Sequence, residues 1–296
     1  MKIGLQISQF DFPGGPVSIR PTFAAIARTA DQGGFASLWV MDHFFQIEYI
    51  GPAELPMLEG YSTLSFAAAI TEQIQLGTLV TGVTYRYPGL LAKTVTTLDV
   101  LSGGRAALGI GAGWFEREHR GLGVPFPSTS ERFERLEETL QIVKQMWSAN
   151  SGPYIGTHYQ LDETLNVPQA MSRPHPPILI GGMGENKTFR LVAEFADACN
   201  LFDGPELPHK LEVLQQRCEE VGRDYSEIEK TTLTTFRPDP SDSSWIGTAL
   251  KRIEYHASLG IDQVIVSFGQ PTEPELVDLA AREIVEPSKS IATAGR

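Results

Sequence analysis

Short apolar runs alternate with amphipathic stretches along the whole chain, and this alternation constrains the fold more than any other feature. The apolar runs predict strands over 3–8, 37–41, 75–80, 106–111, 178–181, 198–202, 231–236 and 263–268. Each is short and mostly apolar, as a parallel strand covered on both faces should be. The stretches between them carry helical spacing. Phe23, Ile26, Ala27 and Ala30 repeat at i, i+3, i+4 and i+7. Phe133, Leu136, Leu140, Val143 and Trp147 keep one stripe through the longest helix, and Leu207, Leu211, Leu214 and Cys218 keep another. Pro21 suits a first helical turn, while Gly33, Gly103, Gly222 and Gly260 follow helices where a left-handed residue is wanted. Eight strands alternating with eight helices predict an α/β fold, a (β/α)8 TIM barrel, with a doubly wound open sheet as second choice. The 296 residues fit one barrel domain spanning 1–296.

Two connections exceed the usual length of about 2–6 residues. One runs over 42–60. The other runs over 148–177, where alternating Tyr154, Ile155, His158, Tyr159 and Leu161 read as a β-hairpin. Long loops on a compact barrel serve as lids or binding loops. The stretch 288–296 reads as a frayed tail.

Charge and composition remove several function classes. A net charge of −12 opposes nucleic-acid and anionic-membrane surfaces, so an anionic ligand must be held by local dipoles and a few placed cations. No apolar run approaches the ~20 residues that span a bilayer, and the N-terminus lacks a signal-peptide core, so a cytoplasmic location is expected. Two cysteines, Cys199 and Cys218, make no disulfide framework and read as buried, reduced thiols. The six histidines lack metal-ligand spacing, so no metal is expected. Neither a P-loop lysine nor a G-x-S-x-G elbow occurs.

In a barrel the active site lies where strands end. Strand 2 delivers Asp42-His43, a carboxylate beside an imidazole that suits proton transfer near neutral pH; alternatively, Asp42 caps the next loop and His43 is merely satisfied. Strand 5 delivers Gly181-Gly182-Met183-Gly184 ahead of a helix opening near Thr188, which suits a phosphate on bare backbone N–H groups, or else is a plain turn. Gly109-x-Gly111-x-Gly113 misses the dinucleotide fingerprint because Trp114 stands where the third glycine belongs. Those glycines either admit a flat ring, with Trp114 as a wall, or let a bulky neighbour pack. Glu118-His119 reads as a solvated helix edge or a site-lining pair. Phe10, Phe44, Phe45, Tyr85 and Trp114 suggest an apolar or aromatic pocket, which core packing would explain equally well.

The stretches Trp39-Val40-Met41-Asp42-His43-Phe44-Phe45, Leu76-Gly77-Thr78-Leu79-Val80-Thr81, Tyr85-Arg86-Tyr87-Pro88, Gly111-Ala112-Gly113-Trp114-Phe115-Glu116-Arg117-Glu118 and Ile178-Leu179-Ile180-Gly181-Gly182-Met183-Gly184 together resemble the luciferase-like monooxygenase superfamily, in its F420-dependent oxidoreductase branch. The resemblance implies a bacterial-luciferase-like TIM barrel with an insertion before strand 5. It implies coenzyme F420, or alternatively FMN, at the C-terminal rim, and a non-prolyl cis peptide that would fall at Leu79–Val80. By motif match, Asp42 and His43 lie near the ring and act as catalytic residues. Leu79, Val80, Thr81, Gly113 and Trp114 surround the cofactor, and Gly181, Gly182, Met183, Gly184, Thr188 and Arg117 hold its phosphate. One departure stands out: the family's sugar-phosphate dehydrogenases carry a glutamate where this chain has Trp114, leaving Glu116 or Glu118 as substitutes. The expected activity is hydride transfer between the deazaflavin C5 and a small organic substrate. The alternatives are an FMN-dependent monooxygenase and a non-catalytic flavin-binding or partner subunit. A homodimer is implied by the same analogy.

Overall fold

A computed structural model describes residues 1–294. Eight parallel strand positions close into a barrel: β1 (Lys2–Ile7), β2 (Ser37–Val40), β3 (Gln75–Thr78) continued by β4 (Thr81–Gly82), β5 (Ala106–Gly111), β8 (Ile178–Gly181), β9 (Ala198–Phe202), β10 (Glu229–Thr235) and β11 (Gln263–Ser267). Pairing runs β3-β2-β1-β11-β10-β9-β8-β5, and the β3–β5 ladder closes the ring. The expected TIM barrel is the observed fold. The strands came out within about two residues of expectation. Met41, Phe236 and Phe268 fall just beyond the last ladder positions, in the loops that build the mouth.

The helices lie outside the ring: α1 (Pro16–Gln32), α2 (Gly60–Ala68), α3 (Pro88–Ser102), α4 (Glu116–Leu122), α5 (Thr129–Met146), α6 (Thr188–Phe195), α7 (Leu207–Val221), α8 (Ser244–Ser258), α9 (Pro274–Ala280) and a short α10 (Glu286–Ser288). Strand residues divide by period two. Ile3, Leu5, Ile7, Leu108, Ile110, Val264 and Val266 join the large cluster packed against helices. Trp39, Ala107, Leu179 and Ile265 turn inward and, with Leu79 and Ala198, fill the barrel. Both faces are covered, which is why the strands read as apolar runs.

Between α5 and β8 the expected insertion forms the hairpin β6 (Tyr154–Ile155) and β7 (Gln160–Leu161). It is anchored on α3, where the Asp99 carboxylate accepts from the backbone N–H groups of Met171 (2.7 Å) and Ser172 (2.9 Å). Both cysteines are buried and free, on β9 and α7.

Three expectations need correction. Helix α1 starts five residues before Pro21, on Pro16, so Pro21 sits inside the helix and Pro16 takes the first turn. Gly33 is right-handed (φ −76°), and Gly34 supplies the positive φ (78°) instead. The tail is docked as far as it is described: the N-terminal amine of Met1 donates to the carbonyls of Ser288 (3.1 Å) and Ile291 (2.7 Å), and Ala294 N–H donates to Ala257 (2.9 Å). Its last two positions lie outside the described residues. Among the described residues, no helix is long and apolar enough to cross a membrane.

Candidate active site

Asp42 and His43 leave β2 together but serve different partners. Asp42 is buried, and its carboxylate accepts both prongs of the Arg86 guanidinium, with Nη2 at 2.9 Å from Oδ1. Arg86 also donates to Glu59 and lies 4.7 Å above the Tyr61 ring. Burial pushes the Asp42 carboxyl above its ordinary value, opposed by the guanidinium. Burial would lower Arg86, but the adjoining Asp42 carboxylate carries it above its ordinary value. Beneath them the Tyr61 hydroxyl meets Thr81 at 2.8 Å, Thr81 meets Thr78 at 2.8 Å, and Thr78 donates to the Gly109 carbonyl at 3.1 Å. Burial, then the Asp42 charge, pushes the Tyr61 hydroxyl up to about 12. In this floor both Asp42 oxygens are taken by Arg86, while His43 bonds a different carboxylate. The expected pairing of the two is replaced by an Asp42–Arg86 fork.

His43 takes its carboxylate from another element. Its Nδ1 lies 3.0 Å from Oε2 of Glu118, a fully buried residue of α4. The imidazole stands edge-on to Trp114 and Phe115, with centroids 5.7 Å away in each case. Engagement of Nδ1 leaves Nε2 as the nitrogen for a reacting group. Glu118 Oε1 is buried without a hydrogen-bond partner. Burial, then the Glu118 charge, pushes the Tyr85 hydroxyl above its ordinary value. The neighbouring His119 is buried and satisfied, by Thr84 Oγ1 (2.6 Å) and the Phe115 carbonyl (2.8 Å). Glu118-His119 is therefore no solvated helix edge: one member lines the site and the other is structural.

The peptide Leu79–Val80 is cis, at the position the resemblance implied. The β5 glycines serve this segment rather than an open ring surface. A Cβ on Gly109 would stand 1.9 Å from the Thr78 carbonyl oxygen, and one on Gly111 would stand 3.0 Å from Val80 Cγ2. Of the two readings of these glycines, close packing of a neighbour holds. Phe10 likewise belongs to the core, against Phe12 and Phe23. Trp114 is half-exposed (51%) and stacks on Phe115 at 5.1 Å.

After β8 the chain turns on Gly182, whose φ of +121° excludes other residues at low strain, and enters α6 at the buried Thr188. A Cβ on Gly184 would reach 2.8 Å from Thr188 Oγ1. The turn is thus a cradle kept open by absent side chains beside a hydroxyl and a helix N-terminus, which fits a phosphate. Met183 packs away from it, its sulfur accepting from Phe202 N–H (3.4 Å). Arg117 faces elsewhere: its guanidinium lies 3.7 Å from Glu48 and 3.9 Å from Glu54, in the loop after β2. The expected phosphate contact by Arg117 is replaced by this loose pairing. Among the described residues no three His, Cys, Asp or Glu side chains come together to hold a metal ion.

Sequence reasoning missed Arg86 and left Glu118 as one of two substitutes. Both sit inside motifs that carried the family resemblance, and only closure of the barrel shows what they touch.

Residues 5–259 match the family described as luciferase-like monooxygenase. This chain belongs to that family. It is accordingly an oxidoreductase barrel. It is similar to the F420-dependent glucose-6-phosphate dehydrogenase of Kineococcus radiotolerans, 32% identical over 253 residues, covering 82% of this chain and 70% of that protein. Its fold is shared with the coenzyme F420-dependent tetrahydromethanopterin reductase of Methanopyrus kandleri (TM-score 0.75, 19% identity, 97% of this chain and 99% of that one). The fold is shared equally with a monooxygenase from Streptomyces bottropensis (TM-score 0.78, 18% identity, 97% and 99%).

Proposed function

We propose that the chain, working as one barrel domain, is an F420-dependent oxidoreductase that transfers a hydride between the coenzyme and a small organic substrate. The observation that carries the reading is the His43–Glu118 pair, an imidazole braced by a fully buried carboxylate at the barrel mouth. The likeness to F420-dependent relatives supports the choice of coenzyme.

When bound, the coenzyme supplies hydride donor or acceptor chemistry at C5. Gly181, Gly182, Gly184 and Thr188 would hold its phosphate, with Met183 backing the turn. Leu79, Val80, Thr81, Gly113 and Trp114 would enclose its ring. Asp42, forked to Arg86, holds the floor rigid and takes no proton. His43 gives a proton to the substrate, or accepts one, through Nε2. Glu118 accepts from Nδ1, so it orients the ring and stabilises the imidazolium state. Trp114 and Phe115 limit water around the imidazole.

The test is an equilibrium titration of the purified protein with F420 and, separately, FMN, followed by fluorescence. Binding of F420 alone is expected. Tight binding of FMN alone would move the protein to the monooxygenase reading, and binding of neither would remove the cofactor reading.

A further inference from the structure

The rim around His43 combines open aromatic surface with negative charge. Tyr49 is 88% exposed and lies 6.1 Å from Trp114, and Trp114 in turn abuts His43. Around these rings stand Glu48 and Glu54, 75% and 80% exposed, together with Glu116 on α4. Among the described residues of this rim each guanidinium is already engaged. Arg117 lies between Glu48 and Glu54, Arg120 pairs with Glu116 at 2.7 Å, and Arg86 is held by Asp42 and Glu59. Glu118 places a further carboxylate directly behind His43.

A dianion approaching His43 would therefore meet the Glu118 carboxylate behind the imidazole and the rim carboxylates, a repulsion that acts over a Debye length of about 10 Å, and among the described residues of this rim it would find no free guanidinium. A flat ring without negative charge would meet indole and phenol surface instead, which favours stacking and, for a cation, the ring faces. We infer that this site takes planar aromatic carbonyl compounds, neutral or cationic, and turns away sugar phosphates and other polyanions. The inference rests on the proposed F420-dependent reaction and names its substrate class. In the reductive direction the carbonyl carbon takes a hydride from the reduced coenzyme. The C=O π pair passes to oxygen, and that oxygen takes a proton from His43. The substrate gains two electrons and the coenzyme loses two.

The test uses three probes: 2-naphthaldehyde, glucose 6-phosphate and glucose. Each is titrated into the full-length protein, with and without F420, and tryptophan emission is read; Trp114→Phe identifies the part of the signal that comes from Trp114. We expect 2-naphthaldehyde to quench Trp114 and to bind at least about 10-fold more tightly than glucose 6-phosphate. Trp114→Ala should weaken it by on the order of 10-fold, the size of one aromatic pair. The exposed double variant Glu48→Lys/Glu54→Lys should tighten glucose 6-phosphate about 10-fold, do little to glucose, and leave 2-naphthaldehyde within about 2-fold. Tighter binding of glucose 6-phosphate than of 2-naphthaldehyde overturns the inference, as does naphthaldehyde binding that ignores Trp114→Ala. A failed F420 titration instead removes the underlying reaction, and because the probes are also read without F420, the two failures are distinguishable.

Discussion

Replacing Glu118 with glutamine removes one buried charge while keeping the side chain's length, so it isolates what the carboxylate does for His43. The contact is 3.0 Å long between a fully buried residue and an imidazole whose side chain is 13% exposed. A charge-assisted hydrogen bond in such surroundings contributes about 1.5–3 kcal/mol, against about 0.5–1.5 for a neutral one. The difference, ~1–2 kcal/mol, acts when the imidazole is cationic and corresponds to about a 5–30-fold fall in turnover. Glutamine still offers an oxygen to Nδ1, so orientation survives. Alanine loses both roles, and turnover should drop about 100-fold, a full general acid–base contribution. Folding stability of the glutamine variant should stay within about 1 kcal/mol of the parent, since a buried polar group replaces another of equal volume. The assay is stopped-flow hydride transfer from F420-loaded protein to the best carbonyl substrate, with F420 affinity and chemical denaturation measured alongside. Turnover within about 2-fold of the parent in both variants, with F420 affinity intact, would show that the dyad is structural and that the proton comes from elsewhere.

Three further outcomes follow from the same geometry. Asp42→Ala leaves the Arg86 guanidinium partly buried with Glu59 as its remaining carboxylate partner, and should cost up to about 3 kcal/mol in urea unfolding; a second change, Arg86→Met, should return much of it. Gly182→Ala forces a side chain onto φ +121° and should weaken F420 at least about 10-fold while costing the fold about 1–3 kcal/mol; an unchanged titration would refute the phosphate cradle. Asp203 accepts from Arg252, His256 and Thr234, and these partners outweigh its burial and hold its carboxyl down at about 2. A depressed carboxyl stabilises the fold above its unfolded value of about 3.9 and loses that contribution as pH falls through about 2. Discounted for screening, the loss between pH 4 and pH 2 should be about 1–2 kcal/mol, visible as a steeper fall in Tm than Asp203→Asn shows. His256, lowered by burial, also destabilises on acidification, but from a higher pH, so the two are separable.

The sequence by itself determined the barrel and most of its strands, because a parallel strand covered on both faces must be apolar at nearly every position and so marks itself locally. It also marked the glycine turn at Gly182, where a backbone angle selects the residue type, and the insertion hairpin, whose alternation is local as well. What it did not determine is which charged group meets which. Adjacent in the chain, Asp42 and His43 read as a pair, yet Asp42 is claimed by Arg86, 44 residues away, and His43 by Glu118, 75 residues away. Successive residues at a strand end turn to opposite sides, so neighbours in sequence diverge in space. The partners come from the β4–α3 connection and from the first turn of α4, which only ring closure brings to the same rim. For the same reason the residue types left the β5 glycines open between two readings and set Arg117 at a phosphate. Their residue types suit a cofactor, but the side chains around them, set by packing between distant segments, decide what each one touches.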